Sequence, residues 1–274
     1  MTPIAKLKLR GNETLTFYSD YHYQKKLQEI EASNEKIQSV KYFKGLGTST
    51  DKDIRSFADK IVNVKYTGNE SDLSLDIAFN KAKTNERKDW MLDFDRETYI
   101  DVDEDNNYTI PRFFNQELIL FSLDDTHRSI GSIIDGLKPS QRKILYCAFK
   151  KNLKYDSESQ IKVAQLSGFV SEQTNYHHGE ECLNQSIIKM AQNFVNSNNI
   201  ALLQNVGQFG SRSHTGKDAA SPRYIFTKLG PLTSTIFSSL DNPLLKHAYD
   251  DGQKVEYEHY ICLLYTSDAA DESD

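Results

Sequence analysis

Apolar and polar positions follow two rhythms along this chain, and the rhythm changes near Pro111. Residues 14–18, Thr-Leu-Thr-Phe-Tyr, are rich in β-branched and aromatic side chains and predict a strand. Residues 20–38 are polar and compatible with a helix. Gly45 and Gly47 mark a turn, after which Thr50 or Asp51 caps a predicted helix over about 53–62. Residues 1–65 therefore read as mixed α/β. Residues 66–110 are strongly charged, hold the only tryptophan, Trp90, and read as a connector of helices and loops.

Beyond Pro111 the pattern is compact and helical. A helix is expected over 117–126, and Pro139 opens another, since proline suits the first helical turn. Ile144, Leu145, Ala148 and Phe149 keep helical spacing in it. A short helix is expected over 161–167. A longer one over 180–194 places Leu183, Ile187, Met190, Ala191 and Phe194 on one face. Two helices joined by a turn suggest a helix-turn-helix. Residues 200–204 and 224–227 are strand candidates on either side of a glycine-punctuated loop, 207–216. The fold class is α+β, and residues 111–255 have a winged-helix outline.

Composition narrows the class. The 274 residues are 38% hydrophobic and 11% aromatic, enough for one sizeable core or two modest ones and too apolar for wholesale disorder. Cys147, Cys182 and Cys262 lie far apart, which predicts reduced thiols inside a cell. No apolar run approaches the roughly 18–20 residues that span a bilayer. The expectation is a soluble intracellular protein with no membrane partner. Net charge is −6, which by itself points away from nucleic acid. Charge is local, however. Acids cluster at 101–105 and 268–274, whereas 138–154 carries Lys138, Arg142, Lys143, Lys150, Lys151 and Lys154 with no acid among them. That run reads either as a phosphate footprint or as a solvated helix face.

Three constellations could carry chemistry. The segment 207–227, GQFGSRSHTGKDAASPRYIFT, is not a phosphate-binding P-loop: five residues separate Gly210 from Gly216, and Asp218 stands where Ser or Thr is required. It ends at Arg223-Tyr224. A free tyrosine ionises near about 10 and is a poor nucleophile at neutral pH. An adjacent guanidinium favours the phenolate or stabilises charge on a phosphate under attack. By spacing alone, Tyr224 reads as an ordinary half-buried strand tyrosine. His177 and His178, in YHHGE (176–180), lack a third metal ligand at suitable spacing. Placed before a helix, they either donate to phosphate or sit as surface histidines beside a cap. In the stretch 128–143, which also holds Asp135, the basic residues Arg128, Lys138, Arg142 and Lys143 around a proline-opened helix start either line a phosphate channel or sit as solvated basic residues.

Together these strings are specific. YFKGLGTS (42–49), DGLKPSQRK (135–143), YHHGE (176–180), NSNNI (196–200) and the 207–227 segment resemble those of type IIA DNA topoisomerases, in the family's order. The resemblance covers most of 1–261. It makes 1–65 the C-terminal part of a Toprim-like α/β domain, 66–110 a connector, 111–255 the helix-rich winged-helix cleavage domain and 256–261 the start of the next domain. Toprim and tyrosine-bearing parts on one chain resemble the fused enzyme of eukaryotes and some large DNA viruses.

The resemblance implies roles residue by residue. Tyr224 would attack a DNA phosphate to form a 5′-phosphotyrosyl link, Arg223 would contact the scissile phosphate, and Arg128 and His178 would assist cleavage. His177, Asp135, Lys138, Arg142, Lys143, Lys44 and Lys217 would lie at the DNA surface. The family uses Mg²⁺ on Toprim carboxylates and ATP on a separate domain. It works as a homodimer on double-stranded DNA, in the nucleus in eukaryotes. Neither the Mg²⁺ nor the ATP site is expected on this chain, because the Toprim acidic motifs are not found; Asp101, Asp103 and Asp105 lie beyond the KGLGTS turn. Residues 262–274 depart from the family and are expected to be a non-native tail. The chain alone is expected to bind DNA without cleaving it. The alternative is a non-catalytic winged-helix DNA-binding module.

Overall fold

The computed structural model describes residues 2–11, 13–33, 35–43, 47, 49–58, 61–95, 107–250 and 252–261. The 101–105 acidic run, Lys44 and the 262–274 tail lie outside them. The chain forms two compact units, Met1–Asp125 and Thr126–Asp274. No described helix is long and apolar enough to cross a membrane.

The first unit opens with β1 (Ala5–Leu9), β2 (Thr14–Phe17), α1 (Asp20–Ser33) and β3 (Ile37–Tyr42), and the strands form an antiparallel sheet in the order β2-β1-β3. Alternation buries Ala5, Leu7 and Leu9 of β1 against Tyr23 and Ile30 of α1. Next comes α2 (Asp51–Ala58), which begins two residues before the expected start. Thr50 opens it: Asp53 N donates to Thr50 Oγ1 at 3.3 Å and Thr50 N to Asp53 Oδ2 at 3.2 Å, a reciprocal cap. Asp53 also takes Lys6 at 2.5 Å and Lys41 at 2.6 Å, tying α2 to β1 and β3. The charged 66–110 stretch contains packed elements. These are α3 (Asn69–Phe79) and α4 (Thr84–Leu92), with β4 (Asn63–Lys65) pairing in parallel with β5 (Asn107–Thr109). Then α5 (Ile110–Phe113), a π-helical turn (Phe114–Leu118) and α6 (Ile119–Ser129) run on without interruption. The expected helix over 117–126 is thus the middle of a longer one.

The second unit is built on α7 (Pro139–Lys150), α8 (Val163–Thr174) and α9 (Glu180–Ala191). Ile144, Leu145, Leu166, Leu183 and Ile187 are fully buried between them. Helix α8 is longer than expected and follows the short strand β6 (Ile161–Lys162). It ends at Asn175, whose φ of 47° is a left-handed cap that asparagine tolerates. Strands β7 (Leu203–Val206) and β8 (Phe226–Leu229) complete an antiparallel sheet in the order β6-β8-β7. Three helices with this sheet make the expected winged-helix arrangement. A short α10 (Thr233–Ile236) and an antiparallel hairpin, β9 (His247–Asp250) with β10 (Gln253–Tyr257), follow.

Candidate DNA-cleavage site

Tyr224, expected at the start of a strand, lies in the turn that precedes it. Its N–H donates to Ser221 O at 2.9 Å, closing a turn over 221–224, and β8 begins at Phe226. The turn separates two neighbours: Ile225 is 2% exposed, while Tyr224 is 76% exposed. The N-terminus of α8 holds both flanks. Ala164 N donates to Pro222 O and Val163 N to Ile225 O, each at 3.1 Å. These are amides that a helix start leaves unpartnered. The phenol therefore projects into solvent from a backbone fixed on both sides.

The preceding loop is pinned with equal care. Gln192, just past α9, donates from Nε2 to Phe209 O at 2.8 Å and Gly216 O at 3.2 Å. Asp218 accepts from Ser211 N and Ser211 Oγ, both at 2.7 Å. Those hydrogen bonds hold the Asp218 carboxyl below the usual carboxylate range. Phe209, 2% exposed, plugs the loop into the core. Lys217 stays exposed on it.

The start of α9 stands between two open clefts. On one side Arg223 shares a cleft of roughly 420 Å³ with Glu180, Glu181, Asn184 and Pro222. On the other, a cleft of roughly 360 Å³ brings together Arg128, Lys143, His177, His178, Cys182 and Asp250. Arg128 and both histidines are exposed. His177 Nε2 lies 2.9 Å from Asp250 Oδ2. Lys143 is only 17% exposed, donating to Thr174 O at 2.8 Å and Glu256 Oε2 at 2.9 Å. Lys138 is exposed at the N-cap of α7, beside cleft residues Pro139 and Ser140.

Asp135 and Arg142 are not at a DNA surface. Both are buried, and the guanidinium grips the carboxylate twice, Nε to Oδ2 at 2.7 Å and Nη2 to Oδ1 at 2.8 Å. Leu137 N and Tyr260 N add hydrogen bonds of 3.0 Å each. Burial pushes the Asp135 carboxyl up, but the bonds from Arg142, Tyr260 and Leu137 outweigh it and leave it below the usual range. With its charge spent inside the protein, Arg142 cannot meet a phosphate. The pair instead closes the 130–138 turn between α6, which carries Arg128, and α7. The basic run is divided too: Lys150 and Lys151 sit over the rings of Tyr146 and Phe169.

Among the described residues no group of three or more His, Cys, Asp or Glu could hold a metal. The residues sequence reasoning missed are positioning groups: Gln192, Asp218, Asp250 and Glu256. Each acts on a side chain or carbonyl distant in sequence or across a loop, and no local spacing marks them.

The arrangement is a projecting tyrosine, an adjoining arginine and a cationic cleft on a winged helix. The family model for the A subunit of DNA gyrase/topoisomerase IV matches residues 128–264, and the C-terminal associated domain of TOPRIM matches 1–126. The chain belongs to the type IIA DNA topoisomerases. It is 46% identical to DNA topoisomerase 2-beta of Gallus gallus over 96% of its own length and 17% of the relative. DNA topoisomerase 2-beta of Homo sapiens is equally similar, at 46% with the same coverage. DNA topoisomerase 2-alpha of Gallus gallus is 45% identical over 96% of this chain and 18% of the relative. The crystal structure of the Plasmodium falciparum topoisomerase II DNA-binding, cleavage and re-ligation domain superposes with a TM-score of 0.72 at 42% identity, over 96% of this chain and 35% of that one. The chain thus spans under a fifth of the length of these topoisomerase 2 relatives. The two family models adjoin where the compact units divide, within α6.

Proposed function

We propose that this chain is the DNA-cleavage part of an ATP-dependent type II topoisomerase, with Tyr224 as nucleophile. The observation that carries the reading is the exposed phenol held beside Arg223 in a family member. Tyr224 Oη attacks a backbone phosphorus, and the bond from phosphorus to the 3′ oxygen breaks. The phosphate stays on Tyr224 as a 5′-phosphotyrosyl ester, and the 3′ oxygen leaves as a hydroxyl, taking up a proton to balance the one lost by the phenol. The link keeps the energy of the broken bond, so the reverse attack reseals the strand. Arg223 stabilises negative charge on the phosphate under attack. Arg128 and His178 assist from the second cleft, and His177, Lys138, Lys143 and Lys217 hold the backbone, with Lys44 a further contact.

The whole protein then works on double-stranded DNA as an intracellular homodimer, in the nucleus if the source is a eukaryote. The whole protein uses Mg²⁺ and ATP, assigned to its other parts, and the chain alone binds DNA without cleaving it. The decisive test uses the protein extended to the length of its relatives. Denaturant should trap a covalent protein–DNA adduct, and Tyr224→Phe should abolish it while leaving stability within about 0.5 kcal/mol, as for other exposed positions. An adduct that survives the substitution removes Tyr224 from the chemistry.

A further inference from the structure

The β9–β10 hairpin stands outside the winged-helix sheet, yet each of its strands holds, through a carboxylate, a side chain that lines the Arg128 cleft. Glu256 of β10 is buried, 7% exposed, with Oε2 2.9 Å from Lys143 Nζ. The same ammonium donates to Thr174 O at 2.8 Å. An ammonium has three N–H donors, so these two bonds set the direction of the third. Asp250 of β9 lines the cleft, its Oδ2 2.9 Å from His177 Nε2. One hairpin thus holds two nitrogen-bearing side chains that come from different elements, α7 and the turn before α9. A flexible lysine held in advance binds an anion without first losing its rotamer freedom.

We propose that the β9–β10 hairpin is a positioning element of this cleft, and that through Glu256 and Asp250 it holds Lys143 and His177 ready for a nucleic-acid phosphate. The inference rests on reading the cleft as a DNA-phosphate site. Its sign is distinctive. Two carboxylates beside a polyanion's site repel that polyanion, so if charge alone mattered, removing either would tighten binding. If the carboxylates position cations, removing either weakens it.

The test is fluorescence anisotropy of a short labelled duplex with the unchanged chain, Glu256→Gln and Asp250→Asn, across a salt series. Each variant should bind about five- to tenfold more weakly although it has lost a negative charge. For Glu256→Gln the plot of log K against log salt should become shallower by about 0.9, the share of a single neutralised phosphate. In a Lys143→Met background, Glu256→Gln should no longer weaken binding, since the residue it positions is gone. Should Glu256→Gln fail to fold, Asp250→Asn, at a partly exposed position, decides the matter. Folded variants that bind as tightly as the unchanged chain, or more tightly, overturn the inference and leave the reading of the cleft standing. An unchanged chain with no salt-dependent DNA binding overturns that reading, and the inference falls with it.

Discussion

The Asp135–Arg142 pair shows how little residue type says about placement. An arginine and an aspartate in a basic, proline-opened segment suggest a phosphate channel, and both turn out to be buried and bound to each other. Their seven-residue separation crosses a turn, so no helical spacing betrays the contact. Removing one partner of a buried pair leaves an unpaired charge, and Asp135→Asn should destabilise the second unit by about 3–5 kcal/mol. The carboxyl lies below its ordinary value in the folded state. Its contribution is therefore fully present above the unfolded value of about 3.9 and is lost as pH falls through the folded one. Urea unfolding of both proteins between pH 6 and 3, near those reference values, should show the gap between them narrowing below about pH 4. A gap independent of pH would mean that the pair's charge does not stabilise the fold.

Elements were legible where periodicity was strong. The α9 face formed by Leu183, Ile187, Met190 and Ala191 and the proline start of α7 could be read directly, because a 3.6-residue period and a ring-fixed φ are local facts, although α9 ends at Ala191, before the Phe194 expected on that face. Strand β1 could not, since alanine and lysine are poor strand formers and its alternation acquires meaning only against α1. The turn that presents Tyr224 was also hidden, because it depends on α8 amides that lie some sixty residues away. The loop before it depends on a close approach of two backbones. Gly210 has a φ of +95°, and a Cβ there would meet Gly216 O at 2.6 Å. Neither conformation nor space admits a side chain. Gly210→Ala should therefore cost about 1–3 kcal/mol through strain, read as a lowered midpoint in thermal unfolding. In the extended protein it should also reduce adduct formation, because the loop leads directly into the Arg223-Tyr224 turn. Unchanged stability would show that the loop relaxes freely and that its geometry is not what presents the tyrosine.

At the scale of the molecule, the net charge of −6 and the proposed partner stand opposed. They are reconciled by distribution. Arg128, Lys138 and Arg223 are exposed around the start of α7 and the two clefts flanking α9, and Lys143 lines one of those clefts. The field that a DNA backbone meets there is set by these groups over a Debye length of about 8–10 Å, not by acids elsewhere. If each of the four neutralises one phosphate, log K for a duplex should fall against log salt with a slope of about −3.6. Between 50 and 200 mM salt, the range over which such slopes are commonly compared, that amounts to a loss on the order of a hundredfold. Duplexes of different sequence should behave alike, because phosphate contacts carry no base information. Arg128→Ala or Lys138→Ala should each make the slope shallower by about 0.9, whereas Arg142→Ala should leave the slope unchanged in whatever fraction stays folded, since its guanidinium is buried and paired with Asp135. A slope near zero for the unchanged chain would mean that the acidic surface dominates after all and that the clefts do not receive a nucleic-acid backbone.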